Sequence, residues 1–248
     1  MSDHELAARL ATQAGELLLA VRTELADATA AERKSAGDKR SHDFLMAALA
    51  EHRPEDAVLS EEASEEDKAN SVRLTAQRVW IVDPLDGTRE FSELDRDDWA
   101  VHVALWESGE LVAGAVALPA QGVTLATPDV AAPPAVPVTP RIVVSRTRPP
   151  AVALAVRDAL DGTLVEMGSA GAKVASVVQG LADVYVHAGG QYEWDSAAPV
   201  AVARAAGLYT SRIDGSPLIY NRADPLLPDL IVCRPELAHA VLAVTTSH

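Results

Sequence analysis

Leu6, Leu10, Leu17, Leu18, Val21 and Leu25 fall on one face when the first residues are wound as a helix. That spacing predicts an amphipathic helix over residues 3 to 25, opened by a capping box of Ser2 and Glu5. Residues 26 to 40 are small and charged and read as a loop. Ser41 is placed to cap a second helix, with Phe44, Leu45, Ala48 and Leu49 on one face and a stop near Pro54. Val58-Leu59 is a strand stub. It runs into Ser60-Glu61-Glu62 and then an acidic loop to about Asn70. Val79 to Val82 is a continuous apolar run, as in a buried strand. Trp99 to Trp106 and Leu111 to Leu118 flank Glu107-Ser108-Gly109-Glu110, which is a hairpin signal, and Val123 to Ala126 adds a third antiparallel strand.

Five prolines follow between residues 128 and 140, and they mark the best boundary in the chain. It separates an N-terminal α+β part, residues 1 to 138, from a C-terminal α/β part, residues 139 to 248. In the second part strands at 142–145, 164–167, 184–187 and 230–233 alternate with helices at 152–160, 169–181, 195–206 and 235–245. Ser169 caps the helix of small residues, Asp195 reads as the N-cap of the next, and Gly207 closes it. No repeat recurs at a fixed period. The pattern predicts a mixed α and β fold, helices layered on sheets.

Composition narrows the function. The chain has 248 residues, 48% of them hydrophobic, which is enough for a sizeable core. One cysteine, Cys233, excludes a disulfide framework and points to the cytoplasm. The N-terminus does not read as a secretory signal, and no apolar run reaches the about 20 residues of a spanning helix. A net charge of −15 argues against nucleic acid as partner. An anionic ligand would then need bound divalent cations to attract it.

Asp83-Pro84-Leu85-Asp86-Gly87-Thr88 ends the apolar run. Proline forces the chain out of the sheet, and Asp-Gly permits a tight turn. Thr88-Arg89-Glu90-Phe91 is placed to open a helix, with the N–H groups of Gly87 and Thr88 pointing outward as an anion site. Two carboxylates beside an anion repel it unless a metal lies between, and hard oxygen ligands select Mg²⁺. Taken alone, the stretch reads sooner as an ordinary turn, and Glu61-Glu62 as a solvated acidic run. The histidines show no zinc spacing, Cys233 reads as core, and no phosphate-binding glycine motif is present.

SEEAS at 60–64, WIVDPLDGTREF at 80–91 and YEWDSAAPVAVARAAG at 192–207 stand together in one order. In that combination the chain resembles the inositol monophosphatase-like family of Mg²⁺-dependent, lithium-sensitive phosphatases. The resemblance implies a layered αβαβα sandwich with two or three Mg²⁺ ions at the junction of its halves. It implies Glu61, Asp83, the Leu85 carbonyl, Asp86 and Asp195 as metal ligands. Gly87 and Thr88 match the phosphate-holding amides, and the Thr88 hydroxyl with Glu61 the pair that orients the attacking water. Asp38 resembles an aspartate near that threonine, although the family's stretch here lacks its Val-Thr, so Asp43 competes for the role. Ser145-Arg146 and Lys173 resemble elements of the CysQ-type 3'(2'),5'-bisphosphate nucleotidase branch, with Asp195 also facing substrate. That branch implies cleavage of 3'-phosphoadenosine 5'-phosphate (PAP), or its sulfated form PAPS, to AMP-type products and phosphate, in sulfate assimilation.

Two other readings stay open. A broader phosphatase would act on inositol monophosphate or fructose 1,6-bisphosphate, and would need neither Arg146 nor Lys173. A non-catalytic metal- or phosphate-binding protein would be expected to have lost a ligand, whereas Glu61, Asp83, Asp86, Thr88 and Asp195 are all present. The expected partner is a small-molecule phosphate. A homodimer is common in the family, but no interface is legible in the chain.

Overall fold

The computed structural model describes residues 1 to 64 and 71 to 247, so the expected acidic loop at 65–70 lies outside the described residues. Helices α1 (Asp3–Glu24) and α2 (Ala30–His52) precede strand β1 (Ala57–Ser60), and a short helix α3 (Ser71–Thr75) precedes β2 (Arg78–Asp86). The one-turn helix α4 (Thr88–Ser92) leads to β3 (Ala100–Glu107), β4 (Glu110–Leu118) and β5 (Val123–Ala126). The second half runs β6 (Arg141–Ser145), α5 (Ala151–Ala159), β7 (Thr163–Met167), α6 (Ala170–Val178), β8 (Val184–Ala188), α7 (Glu193–Ala205), β9 (Tyr209–Ser211), β10 (Asp229–Cys233) and α8 (Ala238–Thr245). No helix or strand lies between Ala126 and Arg141, where the prolines cluster.

Two five-stranded sheets result, ordered β1-β2-β3-β4-β5 and β7-β6-β8-β10-β9. The first is antiparallel except for β1 beside β2, and the second mixes parallel and antiparallel pairs. Strand alternation sorts side chains into three cores. Trp80 and Val82 of β2 join Leu6, Leu10, Leu18 and Leu49 of the outer helices, while Val79 and Ile81 face inward. From the second sheet Tyr185, Leu230 and Val232 face the same interior, and Val186, Ile231 and Cys233 face α5 and α8. Helices α6 and α7, with small residues on nearly every side, fill the space between the sheets. The layers are therefore α, β, α, β, α, as expected from the resemblance.

Three local expectations need correction. Helix α2 begins twelve residues earlier than the apolar pattern indicates, with its N-cap at Thr29 rather than Ser41. Thr29 and Glu32 form a capping box, and alanines rather than leucines carry the first turns, so no large apolar stripe announces them. Ser41 is therefore not a cap. It lies fully buried inside α2, and its hydroxyl donates to the Pro84 carbonyl at 2.6 Å. Asp195 is likewise not the N-cap of α7 but its third residue, accepting the Tyr192 N–H at 2.7 Å. The small strand β9 and helix α3 were too short for any periodic signal.

Candidate active site

Strand β2, which lies between β1 and β3 in its sheet, delivers the first two acids. Its ladder with β3 pairs Asp83 with His102 and then slips, resuming at Asp86 with Ala100. Pro84 has no N–H to give the ladder, so the strand bulges there. Asp83 accepts the Leu85 N–H at 3.0 Å, and Ser41 holds the Pro84 carbonyl. Gly87 turns the chain at φ 82°, a left-handed conformation that glycine adopts at little cost. A Cβ there would lie 2.9 Å from the Ser169 Cβ. Helix α4 starts immediately after, leaving the Gly87 and Thr88 amides without intrahelical acceptors.

Three elements converge on this turn. One carboxylate oxygen from each of Asp83, Asp86 and Asp195 lies within 4.8 Å of the others. Glu61, just past β1, hydrogen-bonds with Asp83. Asp86 reaches across to the start of α6, accepting from the Ser169 hydroxyl at 2.5 Å and the Gly171 N–H at 2.6 Å.

The electrostatics follow from burial and crowding. Asp83, 1% exposed, is pushed well above its ordinary range by burial and then by Glu61, Asp86 and Asp195. Glu61 and Asp195 are each raised to about 7, first by burial and then by neighbouring carboxylates. Asp86 goes the other way. Burial opposes its charge, but His102, Ser169 and the Gly171 amide outweigh burial and take it to about 2. So many oxygen donors in so dry a place, with so little positive charge, fit a hard divalent cation. The Leu85 carbonyl accepts the Thr88 hydroxyl at 3.2 Å.

Carboxyls ordinarily near 4 that stand near 7 in the fold make the folded chain bind more protons than the unfolded one between those values. Their contribution to stability is present at low pH and is lost as pH rises through about 7. In chelator, the melting temperature should fall from about pH 5.5 to about pH 8, and saturating divalent cation should remove that fall. A metal-free melting temperature that rises over the same interval would contradict the crowded-carboxylate account.

Comparison with known proteins gives this arrangement a context. The inositol monophosphatase family description matches residues 3–130 and 138–247, nearly the whole chain. The chain belongs to the inositol monophosphatase family. A protein named 3'-phosphoadenosine 5'-phosphate phosphatase, from Mycobacterium bovis, is 52% identical over 238 residues, covering 92% of this chain and 88% of that one. The Escherichia coli K12 protein named 3'(2'),5'-bisphosphate nucleotidase CysQ is 33% identical, over 78% of this chain and 81% of its own. The crystal structure of CysQ from Bacteroides thetaiotaomicron superposes with a TM-score of 0.76 at 27% identity, covering 94% of this chain and 97% of that one. The family is metal-dependent, in keeping with the acidic cluster.

On this inositol monophosphatase frame the remaining residues expected from the sequence divide into two groups. Asp38, on α2, hydrogen-bonds with the Thr88 side chain, and burial followed by Glu62 raises it to about 7. Asp43, its rival, is exposed and paired with Lys39 at 2.7 Å. The cations are engaged elsewhere. Arg146 donates to Glu90 at 2.7 Å and to Glu93 at 2.9 Å, which ties it to α4. Lys173 is 6% exposed, and its ammonium donates to the Gly168 and Ser169 carbonyls above the Tyr185 ring. Ser145 accepts the amides of Thr147 and Arg148 at the end of β6.

One residue escaped sequence reasoning. His102 is fully buried, with Nδ1 3.0 Å from the Trp194 carbonyl and Nε2 3.3 Å from Asp86 Oδ2. Burial would lower its pKa, but Asp86 beside it reverses the direction, and the imidazole is raised above its ordinary value. Its one available signal was a lone polar residue on the inward face of an otherwise apolar strand, at the position facing Asp83.

Proposed function

We propose that the chain is a Mg²⁺-dependent phosphomonoesterase that removes the 3'-phosphate of PAP, giving AMP and phosphate. The observation that carries the chemistry is the convergence of Asp83, Asp86 and Asp195, from both halves of the molecule, within 4.8 Å. The substrate reading rests on the relatives, which are named for it at 52% and 33% identity. Residues 1–138 would then supply most of the ligands, and residues 139–248 would close the site through Asp195.

Glu61, Asp83, the Leu85 carbonyl, Asp86 and Asp195 would hold two or three Mg²⁺ ions. Bound magnesium neutralises phosphate charge and acidifies a water. The chain's own groups do the positioning that phosphoryl transfer chiefly requires. The Gly87 and Thr88 amides would hold the scissile phosphate at the start of α4. With its proton turned from the Leu85 carbonyl toward Asp38, the Thr88 oxygen would offer its lone pairs to the attacking water. Glu61 would accept the proton that the attacking water gives up. Ser145, Arg146 and Lys173 are proposed to face the second phosphate. The buried Cys233 thiol, pushed up to about 12, suits the reducing cytoplasm. A homodimer is compatible with this reading.

A second reading has one observation in its favour. Arg146 is neutralised by Glu90 and Glu93, and Lys173 is spent on backbone carbonyls, so neither cation is presented to a second phosphate. A monophosphate needs neither. A phosphate-release panel with PAP, PAPS, inositol 1-phosphate and fructose 1,6-bisphosphate separates the readings. The expected result is the highest kcat/KM for PAP and no release in chelator. Equal kcat/KM for inositol 1-phosphate would overturn the nucleotidase assignment.

A further inference from the structure

We propose that His102 is a positioning residue that holds the aspartates of the two halves in register for metal binding. The inference rests on the metal-site reading above. His102 lies on β3, opposite Asp83 on one side and Val116 on the other. Its Nδ1 donates to the Trp194 carbonyl at 3.0 Å, one residue before Asp195, and lies 3.9 Å from Asp83 Oδ2. Its Nε2 is 3.3 Å from Asp86 Oδ2. A single imidazole thus touches, directly or through the adjoining backbone, all three of the clustered aspartates.

The surroundings are arranged to admit this ring. On the inward face of β3 its neighbours two residues away are Ala100 and Ala104, both small. Across the gap α6 carries Gly171, where a Cβ would run into Nε2. A polar ring in an apolar layer is costly unless it is partnered. Nε2 has no well-aligned hydrogen-bond partner among the described residues, although Asp86 is close by. A residue present only to fill the core would do better as an apolar side chain. What histidine adds is a rigid link between the β2 turn and the start of α7, the two pieces that have to meet around a cation. Partners of this kind orient first-layer ligands, and their loss typically costs 10- to 100-fold in metal affinity.

The test is a Mg²⁺ titration without substrate, read by calorimetry and thermal shift, on wild type, His102→Leu, His102→Asn and Asp83→Asn. Half-saturation should rise roughly 10- to 100-fold in His102→Leu. His102→Asn keeps a donor near the Trp194 carbonyl and should recover part of that loss. It also carries the test if the leucine variant fails to fold. Phosphate release at saturating Mg²⁺ should return to within about tenfold of wild type, because no reacting group has been removed. An unchanged titration with a lowered melting temperature would make His102 core packing only, and would overturn the proposal. A wild-type metal response in Asp83→Asn would instead show that the metal site itself is misassigned, and the His102 inference would fall with it.

Discussion

Asp83→Asn is expected to reduce Mg²⁺-dependent phosphate release by about 10³-fold or more while leaving the fold intact, because metal-based charge stabilisation is worth several kcal/mol and each 1.4 kcal/mol is tenfold. Asp83 is 1% exposed and sits on the interior strand β2, so one charge change there alters the centre of the site. Asparagine has nearly the same shape, and its carbonyl can still accept the Leu85 N–H now bonded at 3.0 Å. The backbone turn therefore survives. Stability should move opposite to activity. In the metal-free chain Asp83 is crowded by Glu61, Asp86 and Asp195, and removing its charge relieves that repulsion. The variant should melt at or above the wild-type temperature in chelator, and its gain from added Mg²⁺ should be small. Kinetics and melting curves with and without Mg²⁺ check both halves of the statement. Retained turnover would refute the metal role of Asp83, and a collapsed melting temperature would make the loss of activity uninformative.

The strand-and-turn unit was readable in the chain because each of its parts has a local cause. An apolar run makes β2, proline breaks its ladder, and glycine adopts the left-handed turn. Asp195 was readable through the Trp-Asp sequence, although its cap position was off by three residues. The start of α2 was not readable, since alanine and charged residues behind the Thr29–Glu32 box form a helix without an apolar stripe. That start bears on the proposed site, because α2 is what carries Asp38 to Thr88. The fates of Arg146 and Lys173 were also hidden. Charge alone does not say what a cation does: Lys173 is held by the nearby Gly168 and Ser169 carbonyls, and Arg146 by acids remote in sequence. Glu90 and Glu93 are more than fifty residues from Arg146. His102 shows the same limit, since its meaning depends on Trp194 and Gly171, which only the layered fold brings to it.

Thr88→Val should lower kcat by roughly 10² to 10⁴-fold with little change in KM for PAP, the range usual for loss of a positioned proton-handling group. Valine keeps the β-branched shape at the first position of α4 and leaves the Gly87 and Thr88 amides where they are. Phosphate binding through those amides should survive. What disappears is the hydroxyl between Asp38 and the Leu85 carbonyl, the only part of this side chain able to orient a water. Thr88→Ser restores the hydroxyl and should return kcat to within about tenfold of wild type, the remaining gap reflecting the looser rotamer of serine. The pH profile adds a readout that packing alone would not move. The Thr88 hydrogen bond lowers the Asp38 pKa against burial and Glu62, so its removal lets that pKa rise above about 7. If deprotonated Asp38 is required, the acid limb of the residual kcat profile should shift to higher pH in the valine variant and return in the serine variant. Normal kcat in Thr88→Val would remove the hydroxyl from the reaction. A reduced kcat with an unshifted acid limb would keep the hydroxyl but detach Asp38 from it, leaving Glu61 as the carboxylate that governs the attacking water.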